Sequence, residues 1–223
     1  MYGNKNKHQG AWGDTAIIRE SFVHKIPEGI SLEAAAPLQC GGVTCYAALV
    51  HAGVQPWHRV GVVGIGGLGH LAIQYANKFG CEVTVFSSTN SKKEEATKLG
   101  AHHFVATKET PDLSKLGLEP LDHLVVTTSH LPDWSQFLPI LNDHATVIPL
   151  TVSKDDLAMP SGAVIGKELR MIGSLVGSRG IHHDMLQFTA RHNIKPMTET
   201  VSALSTFLFE PLLADMCILS SCP

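Results

Sequence analysis

A chain of 223 residues, 44% of them hydrophobic and 17% charged, is long enough for one substantial core, or for one domain and part of a second. Its formal net charge of −3, with Lys and Arg thinly spread, gives no basic face for nucleic acid and no polybasic membrane patch, which excludes both partner classes at the outset. A soluble globular protein is the expectation.

From the start, Lys5, Lys7 and His8 have no apolar run behind them, so no secretory signal is expected and the cytoplasm is the default location. Asp14 to Arg19 and Phe22 to Lys25 read as extended stretches, followed by a helix from about Cys40 to Ala52, and residues 1–39 look like the tail of another domain. Val60 to Val63 is a β-branched run ending in glycines, with Leu68, Leu71, Ala72 and Tyr75 at helical spacing behind it and Gly80 as the stop, which spells strand, tight turn, helix. Glu82 to Phe86 is the next strand; Ser91 with Glu94 reads as a capping box opening a helix that ends before Gly100. Further strands are expected at His103 to Ala106, Leu124 to Thr127, Ala145 to Leu150 and Met171 to Val176, with helices at Trp134 to Leu141 and His183 to His192. Strands alternating with helices predict an α/β domain over residues 40–196, built on a doubly wound parallel sheet covered on both faces. Residues 197–223 contain no Lys or Arg and no clear period; Phe207 to Leu219 is apolar but broken by Glu210, Pro211 and Asp215, too short a run to span a bilayer.

The five cysteines, Cys40, Cys45, Cys81, Cys217 and Cys222, are odd in number and contain no C-x-x-C, which fits reduced thiols. Two C-x₄-C pairs could share a zinc ion, but Cys45 lies in an apolar helical pattern where burial accounts for it.

The loop Gly64-Ile65-Gly66-Gly67-Leu68-Gly69 follows a strand and opens a helix. In such a G-x-G-x-x-G, the first glycine permits the tight turn, the second lets the backbone approach a pyrophosphate and the third allows close helix–strand packing. The helix N-terminus then offers free N–H groups to the anion. Gly64, Gly66, Gly67, Leu68 and Gly69 are therefore the expected phosphate-side contacts of a dinucleotide. An NAD site normally places a carboxylate at the end of the second strand, where this sequence has Ser87. Ser87, Ser88, Lys92 and Lys93 supply hydroxyls and cations where a 2′-phosphate would sit, so NADP(H) is the better fit. The bland reading, that Lys92 and Lys93 are solvated first-turn residues, is weakened because cations are mildly unfavourable at a helix N-terminus.

Taken with Phe22-Val23-His24-Lys25-Ile26-Pro27-Glu28-Gly29, Ala36-Pro37-Leu38-Gln39-Cys40-Gly41-Gly42-Val43-Thr44, Gly64 to His70 and Gly173 to Arg179, the sequence resembles the zinc-containing alcohol dehydrogenases. It is most similar to their NADP-dependent, cinnamyl-alcohol-dehydrogenase-like branch, over about Gly10 to Pro196. The resemblance implies a Rossmann domain beside a mainly β catalytic domain. It implies that Cys40 occupies a catalytic zinc-ligand position and that Thr44 lies beside the nicotinamide. It further implies that Thr127 and Ser174-Leu175-Val176 line the nicotinamide half of the cofactor, with Arg179 close by.

The family's first zinc Cys, its His-Glu pair, its proton-relay hydroxyl and its four closely spaced structural Cys have no counterpart in the sequence, so a chain lacking most of the catalytic domain is expected. A lone Cys40 cannot hold zinc, and a vestigial ligand is the expectation. An apolar face left uncovered would favour self-association into a homodimer. Three functions stand: an NADP(H)-dependent oxidoreductase moving hydride between nicotinamide and an alcohol, aldehyde or conjugated carbonyl; a catalytically impaired nucleotide-binding protein; or a lyase or isomerase reusing the cleft.

Overall fold

The computed structural model describes residues 15–153 and 156–201. The readings at Asp14, Phe207 to Leu219, Cys217 and Cys222 lie outside the described residues. Six strands, β1 (Arg59–Val63), β2 (Glu82–Ser87), β3 (His103–Ala106), β4 (Leu121–Val126), β5 (Leu141–Pro149) and β6 (Arg170–Met171), form one sheet in the order β3-β2-β1-β4-β5-β6. Every pairing is parallel. The order reverses direction at β1, with β2 on one side and β4 on the other, and in such sheets the crevice for a ligand opens at the strands' carboxyl ends at that point.

Among the described residues, seven α-helices connect and cover the sheet: α1 (Leu32–Pro37), α2 (Val43–His51), α3 (Gly69–Lys78), α4 (Lys93–Leu99), α5 (Trp134–Phe137), α6 (Ser161–Gly166) and α7 (Arg179–His192). β1 is buried without alternation because both faces are covered. Val60 and Val62 join the cluster made with α2, α3 and α7, while Val63 joins Leu113, Trp134 and Phe137 on the other face.

Five expected elements differ in the structure; the first is the extended stretch from Phe22, where Phe22 instead closes a 3₁₀ turn over Glu20–Phe22. The helix expected from Cys40 is preceded by α1, capped by the Ser31 hydroxyl accepting from Ala34 N–H (3.3 Å), and the two are joined by a π turn over Leu38–Gly42. Pro37, with no N–H to give, removes a helical donor there. Ser91 makes no capping box: it sits inside a 3₁₀ turn, its hydroxyl pairs with that of Thr89 (2.9 Å), and α4 begins at Lys93. The helix expected over Trp134 to Leu141 is only α5 followed by a 3₁₀ turn, because Pro139 again lacks the donor to continue it. The last strand ends at Met171, with Ile172 N–H still reaching the Val147 carbonyl (3.0 Å), and the chain leaves the sheet through Val176 at φ 48°.

At the opposite, amino end of the strands, His123 is buried with its Nε2 2.8 Å from His58 Nδ1. His58 Nδ1 already accepts from Gln55 N–H (3.1 Å), so His123 Nε2 is the donor of the pair. Its other nitrogen, Nδ1, is buried without a partner among the described residues. Burial pushes the His123 imidazole down to about 4; His58 and Arg170 add to this and Asp122 opposes it. A neutral native imidazole must gain a proton when the chain unfolds below the ordinary value of 6.5. Its contribution to stability is complete above that pH and lost as the pH falls from 6.5 towards about 4. Denaturant titrations across this window should show uptake of up to one proton on unfolding, and His123→Phe should flatten that part of the profile; an unchanged slope in the variant would refute the assignment.

Candidate cofactor site

The loop after β1 is shaped by contacts with its own neighbours. Gly64 adopts φ +96°, a conformation that favours glycine, and its N–H donates to the Phe86 carbonyl (2.8 Å), tying the turn to β2. Gly69, the first residue of α3, packs so closely that a Cβ there would stand 2.1 Å from the Gly64 oxygen and 2.9 Å from Thr127 Oγ1. At Gly66 and Gly67 a Cβ would meet nothing within 4 Å. The loop is thus tight against the protein at its ends and open in its middle, the arrangement a pyrophosphate needs.

A cleft of about 960 Å³ opens over the loop and the carboxyl ends of β1 to β4. Gly64, Gly66, Gly67, Ser87, Ser88, Lys92 and Thr127 all line it. Lys92 reaches across it, its ammonium donating to the Ile65 carbonyl (2.7 Å), which ties the β2–α4 connection to the glycine loop. On its far side that connection is held by Asn90, whose amide donates to Glu109 (2.5 Å). Lys93 is exposed and Leu68 half-buried, and neither is among the lining residues; the Leu68 side chain instead approaches Gly41. Thr127 lines the cleft but its hydroxyl is committed, donating to the carbonyls of Val63 (2.8 Å) and Gly64 (3.3 Å).

The remaining candidates, Thr44, Ser174, Leu175, Val176, Arg179 and Cys40, are not among the residues that line this cleft. Gly177 packs against α2, where a Cβ would stand 2.6 Å from Val43 Cγ2. Thr44 is buried and donates its hydroxyl to the Cys40 carbonyl (2.7 Å). Leu175 is 64% exposed, and Val176, a β-branched residue at φ 48°, holds a strained backbone of the kind that collects at ligand sites. Ser174 Oγ is buried without a hydrogen-bond partner among the described residues. Arg179 opens α7 behind the Ser178 cap, and Cys40 is exposed on the π turn. Among the described residues no three His, Cys, Asp or Glu side chains are grouped so as to hold a metal ion, at Cys40 or elsewhere. Burial pushes the neighbouring Cys45 thiol far up, which makes it an inert core residue.

Several residues escaped the sequence reading. Thr107, Lys108, His130 and Asp133 line the cleft. The Asp133 carboxylate is turned to local work, accepting from Ser135 Oγ (2.6 Å) and N–H (3.0 Å), and those bonds hold its carboxyl below the usual range. Thr151, at the end of β5, carries a second buried hydroxyl without a partner among the described residues. A signal for it existed: Thr127, Thr151 and Ser174 follow three successive strands of the sheet at their carboxyl ends.

Comparison with known proteins bears on the family and the fold. The family described as zinc-binding dehydrogenase matches residues 67–191. The 8-hydroxygeraniol dehydrogenase of Catharanthus roseus is 37% identical over 211 residues, which are 93% of this chain and 58% of that protein. A cinnamyl alcohol dehydrogenase of Sorghum bicolor superimposes with a TM-score of 0.81 at 32% identity, over 89% of this chain and 56% of that one. The CAD of Helicobacter pylori complexed with NADP(H) gives a TM-score of 0.71 at 28% identity, over 85% and 54%. The chain thus spans a little over half the length of the proteins it matches. Matched by the family over residues 67–191 and 37% identical to a relative over 93% of its own length, the chain belongs to the zinc-binding dehydrogenase family.

Proposed function

We propose that the chain binds NADP(H) and serves hydride transfer between the nicotinamide and an alcohol, an aldehyde or a conjugated carbonyl. The observation that carries this reading is the end of β2, where Ser87, Ser88 and Lys92 face one cleft with the glycine loop and no carboxylate stands at the strand end. The Helicobacter pylori relative, a structure complexed with NADP(H), supports the choice of cofactor. The residues fit the group: Gly66 and Gly67 leave room for the pyrophosphate, and Ser87, Ser88 and Lys92 would hold the 2′-phosphate. Bound NADPH would supply the hydride; the chain binds and orients it.

Zinc is another matter. A catalytic zinc takes about three protein ligands, and among the described residues no three His, Cys, Asp or Glu side chains are grouped so as to hold one. No step is assigned to a metal in this chain, and the substrates best suited to it are those that delocalise incoming charge themselves, such as conjugated carbonyls. After dialysis the purified chain should carry clearly less than one zinc per molecule by elemental analysis; a full equivalent of tightly held zinc would disprove this.

The function itself is tested with NADPH deuterated at the nicotinamide C4. Deuterium should appear in the alcohol or saturated product made from an enal in the presence of the chain. Nucleotide binding without transfer would leave a nucleotide-binding protein, and turnover without nucleotide would point to a lyase or isomerase.

A further inference from the structure

We infer that His70 is the positioning residue that orients the phosphate-binding peptide of the glycine loop, and that its second ring nitrogen ties the same loop to the segment after α7; the inference rests on the NADP(H) reading above. His70 is the second residue of α3 and 6% exposed. Its Nδ1 lies 2.9 Å from the Gly66 carbonyl oxygen, which also accepts the His70 backbone N–H at 3.1 Å. Its Nε2 lies 3.0 Å from the backbone N–H of Met197. A backbone N–H can only donate, so Nε2 is the bare nitrogen and Nδ1 carries the hydrogen that goes to Gly66. Burial holds the imidazole below its ordinary value, with Lys92 acting in the same direction and Glu95 and the Gly66 bond against it; the neutral form matches this tautomer.

The consequence follows from peptide planarity. With both acceptor directions of the Gly66 carbonyl taken by His70, that oxygen is fixed towards α3. The Gly66–Gly67 peptide is trans, so the Gly67 N–H points the opposite way, on the side away from the helix. Gly66 and Gly67 line the cleft with open space around them, and an N–H held in that sense is a donor for a phosphate oxygen. Without the imidazole, this peptide would keep only one bond against rotation.

The other nitrogen extends the device. One turn along α3, Gln74 donates to the Lys195 carbonyl (2.9 Å) and accepts from the Lys195 N–H (3.2 Å). Gln74 and His70 together offer residues 195 and 197 the bonds a neighbouring strand would offer. One imidazole is therefore shared between the loop that meets the cofactor and a segment 127 positions further along the chain.

Two amides separate the two nitrogens. In His70→Asn the side-chain N–H can stand where Nδ1 stands and keep the Gly66 bond, while the bond to Met197 is lost. In His70→Gln the longer side chain places an acceptor near the Nε2 position and gives up Gly66. His70→Leu removes both. In calorimetric titrations of the full chain with NADPH, the Asn variant should stay within about threefold of wild type, and the Gln and Leu variants should bind about tenfold more weakly, the scale of one lost hydrogen bond. Amide exchange at Met197, read without nucleotide, should accelerate about tenfold in Asn and Leu and stay slow in Gln. Gln binding as well as Asn, or Asn as weak as Gln, overturns the assignment while the cofactor reading stands. Wild type binding no nucleotide overturns both. The Asn-against-Gln comparison decides the matter alone if the leucine variant does not fold.

Discussion

Ser87→Asp should turn the preference of the chain from NADPH towards NADH. In the wild-type site the hydroxyls of Ser87 and Ser88 and the Lys92 ammonium share one cleft at the end of β2, where a 2′-phosphate would lie. One or two charge-assisted hydrogen bonds to that phosphate are worth about 1–3 kcal/mol, so NADPH should bind roughly 5- to 150-fold more tightly than NADH. Lys92 already donates to the Ile65 carbonyl, so the phosphate gains the difference between an anionic and a neutral acceptor, which argues for the lower half of that range. An aspartate in place of Ser87 repels the phosphate and accepts from the free ribose hydroxyls of NADH. Paired titrations of wild type and variant with both nucleotides measure it; equal affinities in wild type would sink the assignment of the β2 end.

Gly69→Ala should be the most damaging glycine-to-alanine change among the described residues. Its Cβ would stand 2.1 Å from a backbone oxygen and 2.8 Å from the carbon that bears it, and backbone cannot swing aside as a side chain can. Either α3 shifts off β1 or the Gly64 turn opens, at a cost of about 3 kcal/mol or more, the upper end of overpacking penalties. Gly66→Ala is the control. It adds the same methyl where nothing lies within 4 Å, so the unfolding midpoint should move little while NADPH binding weakens at least tenfold, because the methyl takes space meant for the pyrophosphate. Thermal unfolding with and without NADPH distinguishes the two, and a Gly69→Ala midpoint within a degree of wild type would refute the packing argument.

Much of this was legible in the residues. Val60 to Val63 and Glu82 to Phe86 announce buried strands because parallel strands covered on both faces need unbroken apolar runs, and the glycine loop announces its turn because only glycine tolerates those two ends. What stayed hidden was set by partners distant in sequence. Nothing near His70 says that Met197 will occupy one of its nitrogens, and nothing near Thr127 says that its hydroxyl will be spent on Val63. The helix misread over Trp134 to Leu141 has a local cause, Pro139 inside an apolar helical pattern, whose missing donor matters more than the period around it. Val176 extends an apolar run that reads as strand, yet its backbone turns left-handed where the chain leaves the sheet to meet α2.

The position of β1 between β2 and β4 also governs how the chain can assemble as it is synthesised. β2 follows β1 closely, but β4 arrives late: Arg59 N–H finds the Asp122 carboxylate (2.8 Å) 63 residues downstream. At about 5–20 residues per second, a ribosome leaves one edge of β1 without its neighbour for roughly 3–13 seconds. During that interval Val60, Val62 and Val63 present an apolar strand edge able to pair with another nascent chain. The same central placement that opens the cofactor crevice therefore leaves one edge of β1 to be completed only after β4 has been made.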